Sequence, residues 1–306
     1  MIAEITALLE RMNTSDDSEQ ELRLRKANRI KTIHSSLAIE GNTLSEAQVS
    51  DIINGKHIVA PISQIQEVRN AIRVYNIYSE LNPFSERDML KAHAIMMEAL
   101  IDDAGHYRRG GVGVYGESGL VHLAPPAHLV PTLMKNLFEW LEQSTDHLLI
   151  RSCVFHYEFE FIHPFADGNG RTGRLWQSLI LGRLHPVFEH LPVENIVYSN
   201  QQDYYNAIAE SSRQAQSGPF IDFMLRELLN TLQTVAAQKV PKKVPNKSEM
   251  AVLQLLAEGP RLTRAEIAQR VGLSDSGVKK ILANLKASGL IQRVGSTKSG
   301  HWLVIK

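Results

Sequence analysis

The fold is decided largely by one stretch, His163-Pro-Phe-Ala-Asp-Gly-Asn-Gly-Arg-Thr-Gly-Arg174. The residue before a proline is pushed out of the helical region, so Pro164 predicts that a helix ends at His163. Apolar residues at helical spacing follow the stretch and predict a second helix that begins near Arg171. The sequence therefore predicts two helices joined by a short glycine-rich turn, with an imidazole at the end of the first.

This turn has the chemistry of a phosphate site. Glycines within 168–173 let backbone N–H groups approach a ligand closely, and the start of a helix attracts anions. Arg171 and Arg174 lie one turn apart on one face and can clamp two phosphates. Asp167 supplies a hard oxygen ligand that suits Mg²⁺ shared with phosphate oxygens. The stretch therefore predicts a magnesium-nucleotide site with the imidazole of His163 beside it.

Composition places the chain among ordinary globular proteins, with 43% hydrophobic and 22% charged residues among 306. The single cysteine, Cys153, excludes an intrachain disulfide and a cysteine-based zinc site. No apolar run approaches the roughly 18 residues of a membrane span, and the first residues do not resemble a secretion signal. We therefore expect a soluble, cytoplasmic protein that does not bind membranes.

The formal net charge of zero hides an uneven distribution. From Lys239 onward the chain carries thirteen Lys and Arg against four Asp and Glu, a net charge of +9, which leaves −9 on the rest. Such a shift indicates a domain boundary, and the lysine- and proline-rich segment at the shift reads as a solvated linker. We predict an N-terminal helical region, a core, a linker and a tail domain, at residues 1–84, 85–238, 239–247 and 248–306.

The first 238 residues predict a mainly α structure. Thr43 and Glu46 match a capping box, and Ser85 is expected to cap another helix. The predicted helices are 18–37, 44–53, 62–81, 85–100, 131–143, 146–162, 171–184, 203–216 and 220–238.

Residues 105–126 are the exception. Alternating valines and leucine around Gly116-Glu-Ser-Gly119 predict a β-hairpin. Residues 111–116 formally match G-x-G-x-x-G, but a second strand follows instead of a helix, which argues against dinucleotide binding of the Rossmann type.

The basic tail predicts three short helices followed by two strands around residues 295–300. This order is typical of a winged helix-turn-helix, whose third helix reads DNA and whose hairpin forms the wing. Lysines on the third helix suit contacts with the DNA backbone, although such a module can equally dock a protein. The residues offered for these contacts are Ser274, Ser276, Lys279, Lys280, Asn284, Lys286, Arg293 and Lys298.

The stretch quoted first resembles the signature of the Fic family, His-x-Phe-x-(Asp/Glu)-Gly-Asn-Gly-Arg-x-x-Arg, at every fixed position, and the likeness extends over residues 30–238. It implies a Fic-type helical bundle that transfers AMP from ATP to a Ser, Thr or Tyr hydroxyl of a target protein and releases pyrophosphate. His163 would be the catalytic base, Asp167 would hold Mg²⁺, and Arg171 and Arg174 would bind the β- and γ-phosphates. The implied ATP-binding residues are Asp167, Gly168, Asn169, Gly170, Arg171, Thr172, Gly173, Arg174, Tyr204 and Tyr205.

Three further features follow from the same resemblance. Ser36-Leu-Ala-Ile-Glu40-Gly is similar to the family's inhibitory motif, so Glu40 would pair with Arg174 and occupy the guanidinium that the γ-phosphate needs. The hairpin resembles the flap that aligns a target segment by strand addition, through Val112, Gly113, Val114 and Tyr115. Near the adenine, relatives carry Asn seven residues beyond Tyr205, and this chain has Ser212 there.

Other functions remain open at this point. One is a transcription regulator that senses nucleotide without catalysis; another is a Doc-type phosphotransferase, from which Gly168, Gly170 and Arg174 depart. Removal of AMP with the help of Glu40 is also compatible with these residues. The expected partners are target proteins (with the chain itself among them), DNA and a second copy in a homodimer. His93, like the other scattered histidines, lacks metal-ligand spacing.

Overall fold

The computed structural model describes residues 1–12, 19–116, 119–189, 191, 193–239, 247–287, 290–294 and 300–304. The described chain forms two compact units, Met1–Ala236 and Ala237–Lys306. The first is helical with a two-stranded sheet, and the second adds another two-stranded sheet to short helices. The mainly α class predicted from the sequence is therefore confirmed. Within these ranges, none of the helices has the length and apolarity needed to cross a bilayer.

The helices of the first unit are α1 Ile2–Met12, α2 Glu19–Ile39, α3 Glu46–Ile53, α4 Ile62–Asn76, α5 Glu86–Met96, α6 Val130–Gln143, α7 Leu148–Ile162, α8 Asn169–Leu184, α9 Val193–Ser199, α10 Gln201–Gln214 and α11 Gly218–Lys239. Its strands are β1 Gly113–Gly116 and β2 Gly119–Leu123. Short 3₁₀ turns lie at Tyr78–Glu80, Ala127–Leu129 and Pro186–Glu189.

Helices α7 and α8 form the centre of the first unit. Leu175, Trp176 and Ile180 of α8 are fully buried, and the Trp176 indole donates to the Pro83 carbonyl at 2.9 Å. A helix that is buried on all sides belongs to the core, and each large apolar side chain there contributes about 1.5–3 kcal/mol. This packing anchors α8, so the polar residues at its beginning are held in a fixed position.

Helix α2 lies against α4 and α9. Arg29 donates to the Ile72 carbonyl at 3.2 Å and to the Asn76 side chain at 2.6 Å. The His34 ring meets Tyr198 edge-on, with ring centroids 6.0 Å apart. These contacts hold α2 against α4 and α9. The sequence did not predict α9, whose seven residues are too few for a clear periodic pattern.

The capping box predicted at Thr43 and Glu46 is wrong. Helix α3 is capped instead by Ser45, whose hydroxyl accepts from Gln48 N–H at 3.3 Å, while the Gln48 side chain accepts from Ser45 N–H at 3.0 Å. Thr43 donates to Gln64 of α4 at 3.0 Å. Both residue pairs fit the local template, and the contact with α4 engages Thr43 elsewhere. The cap predicted at Ser85 is confirmed, since its hydroxyl accepts from Asp88 N–H at 3.2 Å.

The predicted hairpin is present as the antiparallel pair of β1 and β2. Val114 faces His122 and Tyr115 faces Leu120, with a register irregularity between Val114 and Tyr115. Val112 precedes β1, and its carbonyl accepts from Ala124 N–H at 3.3 Å. The predicted turn residues 117–118 lie outside the described part of the chain.

The second unit has the order predicted for a winged helix-turn-helix. Its elements are α12 Lys247–Glu258, α13 Arg264–Val271, α14 Asp275–Ala287, β3 Ile291–Val294 and β4 His301–Val304. The predicted box of Thr263 and Glu266 caps α13, and Gly272 ends it with a φ of 69°. Buried Val252, Ile267 and Val278 join the three helices in one core. Residues 240–246 of the linker and 295–299 of the wing, including Lys298, lie outside the described residues.

Candidate active site at the α7–α8 turn

His163 ends α7 in the left-handed conformation, with φ 48° and ψ 62°. This backbone is rare outside glycine and costs about 1–3 kcal/mol, so the surrounding structure must hold it in place. Its N–H donates to the Phe159 carbonyl at 2.9 Å, and its carbonyl accepts from the Arg108 Nε at 2.7 Å. The expectation of an imidazole at a helix end is met by this geometry.

The side chain of Asn169 holds the turn together through two hydrogen bonds with the backbone of Phe165. Its side-chain oxygen accepts from Phe165 N–H at 2.8 Å, and its side-chain nitrogen donates to the Phe165 carbonyl at 2.9 Å. The side chain is 2% exposed. The amide of Asn169 therefore shapes the turn, and its predicted contact with phosphate stays a prediction.

His93 supports the same turn from α5, although no local pattern points to it. Its Nδ1 accepts from Gly105 N–H at 2.9 Å, so Nε2 carries the proton and donates to the Asp167 carbonyl at 2.9 Å. The ring stacks on Phe165 with centroids 3.6 Å apart. Burial lowers the pKa of His93 to about 4, which keeps the ring neutral and both hydrogen bonds intact.

Gly168 caps the start of α8 with a φ of 82°. A Cβ atom added there would lie 2.6 Å from the Met97 sulfur. The position therefore requires glycine on two grounds, the left-handed backbone and the close approach of α5.

We expect Gly168→Ala to destabilise the protein by about 1–3 kcal/mol, because it combines backbone strain with a steric clash. Gly55→Ala is the matched control: Gly55 also has a positive φ, 76°, but an added Cβ would meet nothing within 4 Å. Urea unfolding of both variants measures the difference. Equal losses at the two positions would show that contact with Met97 costs nothing.

Asp167 and Arg171 form an ion pair at 3.1 Å across one turn. The carboxylate is 55% exposed, whereas the guanidinium side chain is 5% exposed. A half-exposed carboxylate beside backbone N–H groups suits a Mg²⁺ ion that shares its coordination with phosphate oxygens. Among the described residues there is no cluster of three or more His, Cys, Asp or Glu that could hold a metal by itself.

Arg174 is the most deeply buried charged group of the site, at 2% exposure. Its guanidinium donates to the Glu40 carboxylate at 2.8 Å and to the Ser36 carbonyl at 2.9 Å, and its Nε lies 3.4 Å from the Ser36 hydroxyl. Glu40 is 30% exposed and follows the end of α2. The structure thus brings together the two parts of the predicted inhibitory contact, which lie 134 residues apart in sequence.

Gly170 and Gly173 let neighbouring groups approach α8 on different sides. A Cβ atom at Gly170 would clash with the Glu40 carboxylate, and one at Gly173 would lie 2.7 Å from the Glu160 carboxylate of α7. Thr172, between them in the predicted set, is 1% exposed. Thr172 and Gly173 therefore lie within the packed part of the site, and their contact with ATP stays a prediction.

Glu160 is a carboxyl group that sequence reasoning missed. Burial raises its pKa to about 7, the Arg174 charge opposes this shift, and the Glu40 charge adds to it. Arg174 thus lies in the field of two carboxyl groups, Glu40 from the α2 side and Glu160 from α7.

The two predicted adenine residues differ in their surroundings. Tyr204 is 3% exposed, and its hydroxyl lies 2.7 Å from the Nε2 of His156. Tyr205 is 46% exposed. Ser212, at the position that departs from the family, lies 3.4 Å from the Tyr157 hydroxyl. Tyr205 is therefore the member of the pair whose side chain is accessible to an adenine ring.

Two protein-family models match the chain. The model of the Fic/DOC family matches residues 83–181, and that of a winged helix-turn-helix DNA-binding family matches residues 245–292. A crystal structure of a Fic family protein from Desulfovibrio desulfuricans G20 is 40% identical, covers 99% of this chain and 94% of that one, and superposes with a TM-score of 0.74. Fic-1 from C. elegans shares the fold at 22% identity, with a TM-score of 0.64 over 78% of this chain and 71% of that one.

Curated relatives extend the comparison to named enzymes. The protein adenylyltransferase Fic of Drosophila mojavensis is 28% identical over 240 residues, which are 73% of this chain and 45% of that protein. The corresponding protein of Drosophila erecta is 28% identical over 275 residues, 82% of this chain and 52% of that protein. The chain thus spans about half the length of these curated relatives.

Proposed function

Because this chain belongs to the Fic family, we propose that it is a protein adenylyltransferase that transfers AMP from ATP to a Ser, Thr or Tyr hydroxyl. The observation that carries the proposal is the meeting of His163 with the turn that opens α8. The imidazole, the half-exposed Asp167 carboxylate and two buried guanidiniums lie on one continuous segment of twelve residues. This is the equipment needed to position a triphosphate and activate a hydroxyl.

The proposed reaction is an in-line displacement at the α-phosphorus. The acceptor oxygen bonds to this phosphorus while its proton passes to the imidazole of His163. The bond between the α-phosphorus and the oxygen that bridges to the β-phosphorus breaks, and the electron pair leaves with pyrophosphate. The histidine then returns its proton to solvent.

Positioning of the phosphates is the second half of the proposal. Asp167 would hold Mg²⁺, which when bound neutralises charge on phosphate oxygens. Backbone N–H groups at the start of α8 would bind the anionic end of the nucleotide, as the N-terminus of a helix attracts anions. Arg171 would bind the β-phosphate and Arg174 the γ-phosphate, so both guanidiniums stabilise the departing pyrophosphate.

Regulation is proposed to depend on Glu40. Its carboxylate accepts from the guanidinium of Arg174 at 2.8 Å, and a γ-phosphate needs that same group. ATP bound without Arg174 would hold its α-phosphorus out of line for attack. The resting chain would therefore be inhibited by its own N-terminal region.

Labelled ATP tests the transferred group directly. The Glu40→Gly protein is incubated with Mg-ATP that carries the label on either the α- or the γ-phosphate, and the protein is analysed by mass spectrometry. Adenylyl transfer predicts protein-bound α-label and an added AMP mass. Label from the γ-phosphate alone would instead support a phosphotransferase, and no label of either kind would support a nucleotide sensor.

The second unit is proposed to bind DNA through α14. Lys279, Lys280 and Lys286 are exposed on this helix, and residues 239–306 carry a net charge of +9, which the rest of the chain balances. The match to a winged helix-turn-helix DNA-binding family supports the same assignment. Phosphate contacts by lysine would account for binding without sequence preference.

We expect the double substitution Lys279→Ala and Lys280→Ala to weaken binding to a random-sequence duplex and to reduce the salt slope by about 2. Arg270→Ala is the control, because Arg270 is an exposed cation of the same unit at the end of α13. Fluorescence anisotropy over a series of salt concentrations provides the measurement. An unchanged slope in the double variant would exclude α14 as the phosphate-binding helix.

A further inference from the structure

Arg108 has no role in the reaction proposed above, although its side chain contacts the backbone of His163. The residue is 3% exposed, and its guanidinium donates to four backbone carbonyls. Nε reaches His163 at 2.7 Å, Nη1 reaches Gly110 at 2.8 Å, and Nη2 reaches Pro125 at 2.6 Å and Ile162 at 3.2 Å.

These four carbonyls come from two different parts of the molecule. Ile162 and His163 end α7, where the last carbonyls of a helix lack partners within it and attract a cation. Gly110 lies just before β1 and Pro125 just after β2. One side chain thus joins both legs of the hairpin to the residue proposed as the base.

The backbone of Arg108 contributes to the same connection. Its N–H donates to the Pro164 carbonyl at 2.9 Å. Three consecutive carbonyls, those of 162, 163 and 164, are therefore held by a single residue.

Only arginine can make this arrangement. A buried cation is costly unless its donors are satisfied, and here backbone carbonyls satisfy donors on all three guanidinium nitrogens. Lysine would keep the charge but lacks the planar fork that reaches several acceptors in different directions. The residue is thus chosen for geometry as well as charge.

We propose that Arg108 is a positioning residue that sets the distance between the hairpin and the imidazole of His163. The inference rests on the proposed function, in which the hairpin aligns a segment of the target. A strand added to β1 or β2 would then present its hydroxyl at a fixed distance from the base. Arg108 touches neither nucleotide nor acceptor in this scheme; it acts through the backbone of His163 and the hairpin.

The test uses the full chain in the Glu40→Gly background, with Arg108→Ala and Arg108→Lys. Self-adenylylation is followed with α-labelled ATP, and affinity is measured with a non-hydrolysable ATP analogue. We expect the transfer rate to fall on the order of 100-fold in both variants, since small misplacements have effects of this size. Affinity for the analogue should stay within about twofold, because Arg171 and Arg174 remain in place. The exposed neighbour Arg109, substituted by alanine, is the matched control.

Chemical rescue distinguishes positioning from a general loss of folding. Guanidinium ion, added at concentrations well below the denaturing range, should restore part of the activity of Arg108→Ala, whereas the same concentration of sodium chloride should not. Hydrogen exchange at Gly113–Gly116 and Gly119–Leu123 should be faster in both Arg108 variants and unchanged in Arg109→Ala.

Two outcomes would overturn the inference: transfer at the parental rate in Arg108→Ala, or parallel loss of transfer and nucleotide affinity without rescue by guanidinium. A failure of the proposed function looks different. In that case the Glu40→Gly protein with intact Arg108 transfers no AMP, while hydrogen exchange still reports whether Arg108 holds the hairpin.

Discussion

Replacing Glu40 with glycine is expected to raise the rate of AMP transfer roughly 10- to 100-fold. The carboxylate makes a charge-assisted hydrogen bond with Arg174, and such a bond is worth about 1.5–3 kcal/mol. If the γ-phosphate must displace Glu40 before the α-phosphorus can align, the productive complex bears the cost of breaking this bond. Removal of the carboxylate removes that cost and so stabilises the productive complex. The measurement is the initial rate of protein labelling from α-labelled ATP.

Two controls accompany this prediction. Glu46→Gln removes an exposed carboxylate from the first turn of α3 and should leave the rate unchanged. Adding Arg174→Ala to Glu40→Gly should abolish the gain, because the released guanidinium is the group that ATP needs. Equal rates for Glu40→Gly and the parent protein would refute inhibition by this contact.

Substitution of His163 by alanine, in the Glu40→Gly background, is expected to lower the transfer rate by about 10²- to 10⁴-fold, the usual contribution of a positioned base. Affinity for Mg-ATP should persist, since the imidazole is assigned no phosphate contact. The labelling rate and the dissociation constant of a non-hydrolysable analogue are measured on the same preparation.

His128→Ala provides the control for loss of an imidazole as such, since His128 is exposed in the turn before α6. Comparable labelling by His163→Ala and its parent would mean that another group accepts the proton. Loss of nucleotide affinity together with transfer would point to collapse of the turn, which unfolding measurements would reveal.

Local patterns predicted much of the site because its chemistry is concentrated in one segment. Pro164 and the glycines of 168–173 specify the end of one helix and the start of the next, and these signals depend only on neighbouring residues. The pairing of Glu40 with Arg174 was also anticipated, from a motif resemblance, although the residues are far apart in the chain. What that contact does to activity stays a prediction.

The supporting contacts were beyond reach for a physical reason. His93 and Arg108 donate to backbone carbonyls at the turn, although they lie far from it in the sequence. Every residue has a backbone carbonyl, so the residue type of the acceptor gives no sign of the contact. The false capping box at Thr43 has a related cause, since a residue 21 positions away engages the hydroxyl. The groups that perform chemistry are therefore easier to identify from a sequence than the groups that hold them in place.

Because Glu40 and a γ-phosphate would share the guanidinium of Arg174, binding of ATP and docking of α2 would be coupled. Linkage requires that two occupants of one group weaken each other equally, so a triphosphate that claims Arg174 must loosen the end of α2 by the same free energy that α2 costs the triphosphate. A diphosphate has no third phosphate to make that claim and would leave the helix docked. The position of α2 would thereby depend on whether a triphosphate or a diphosphate is bound. Any partner that pulls α2 away would raise the affinity for ATP.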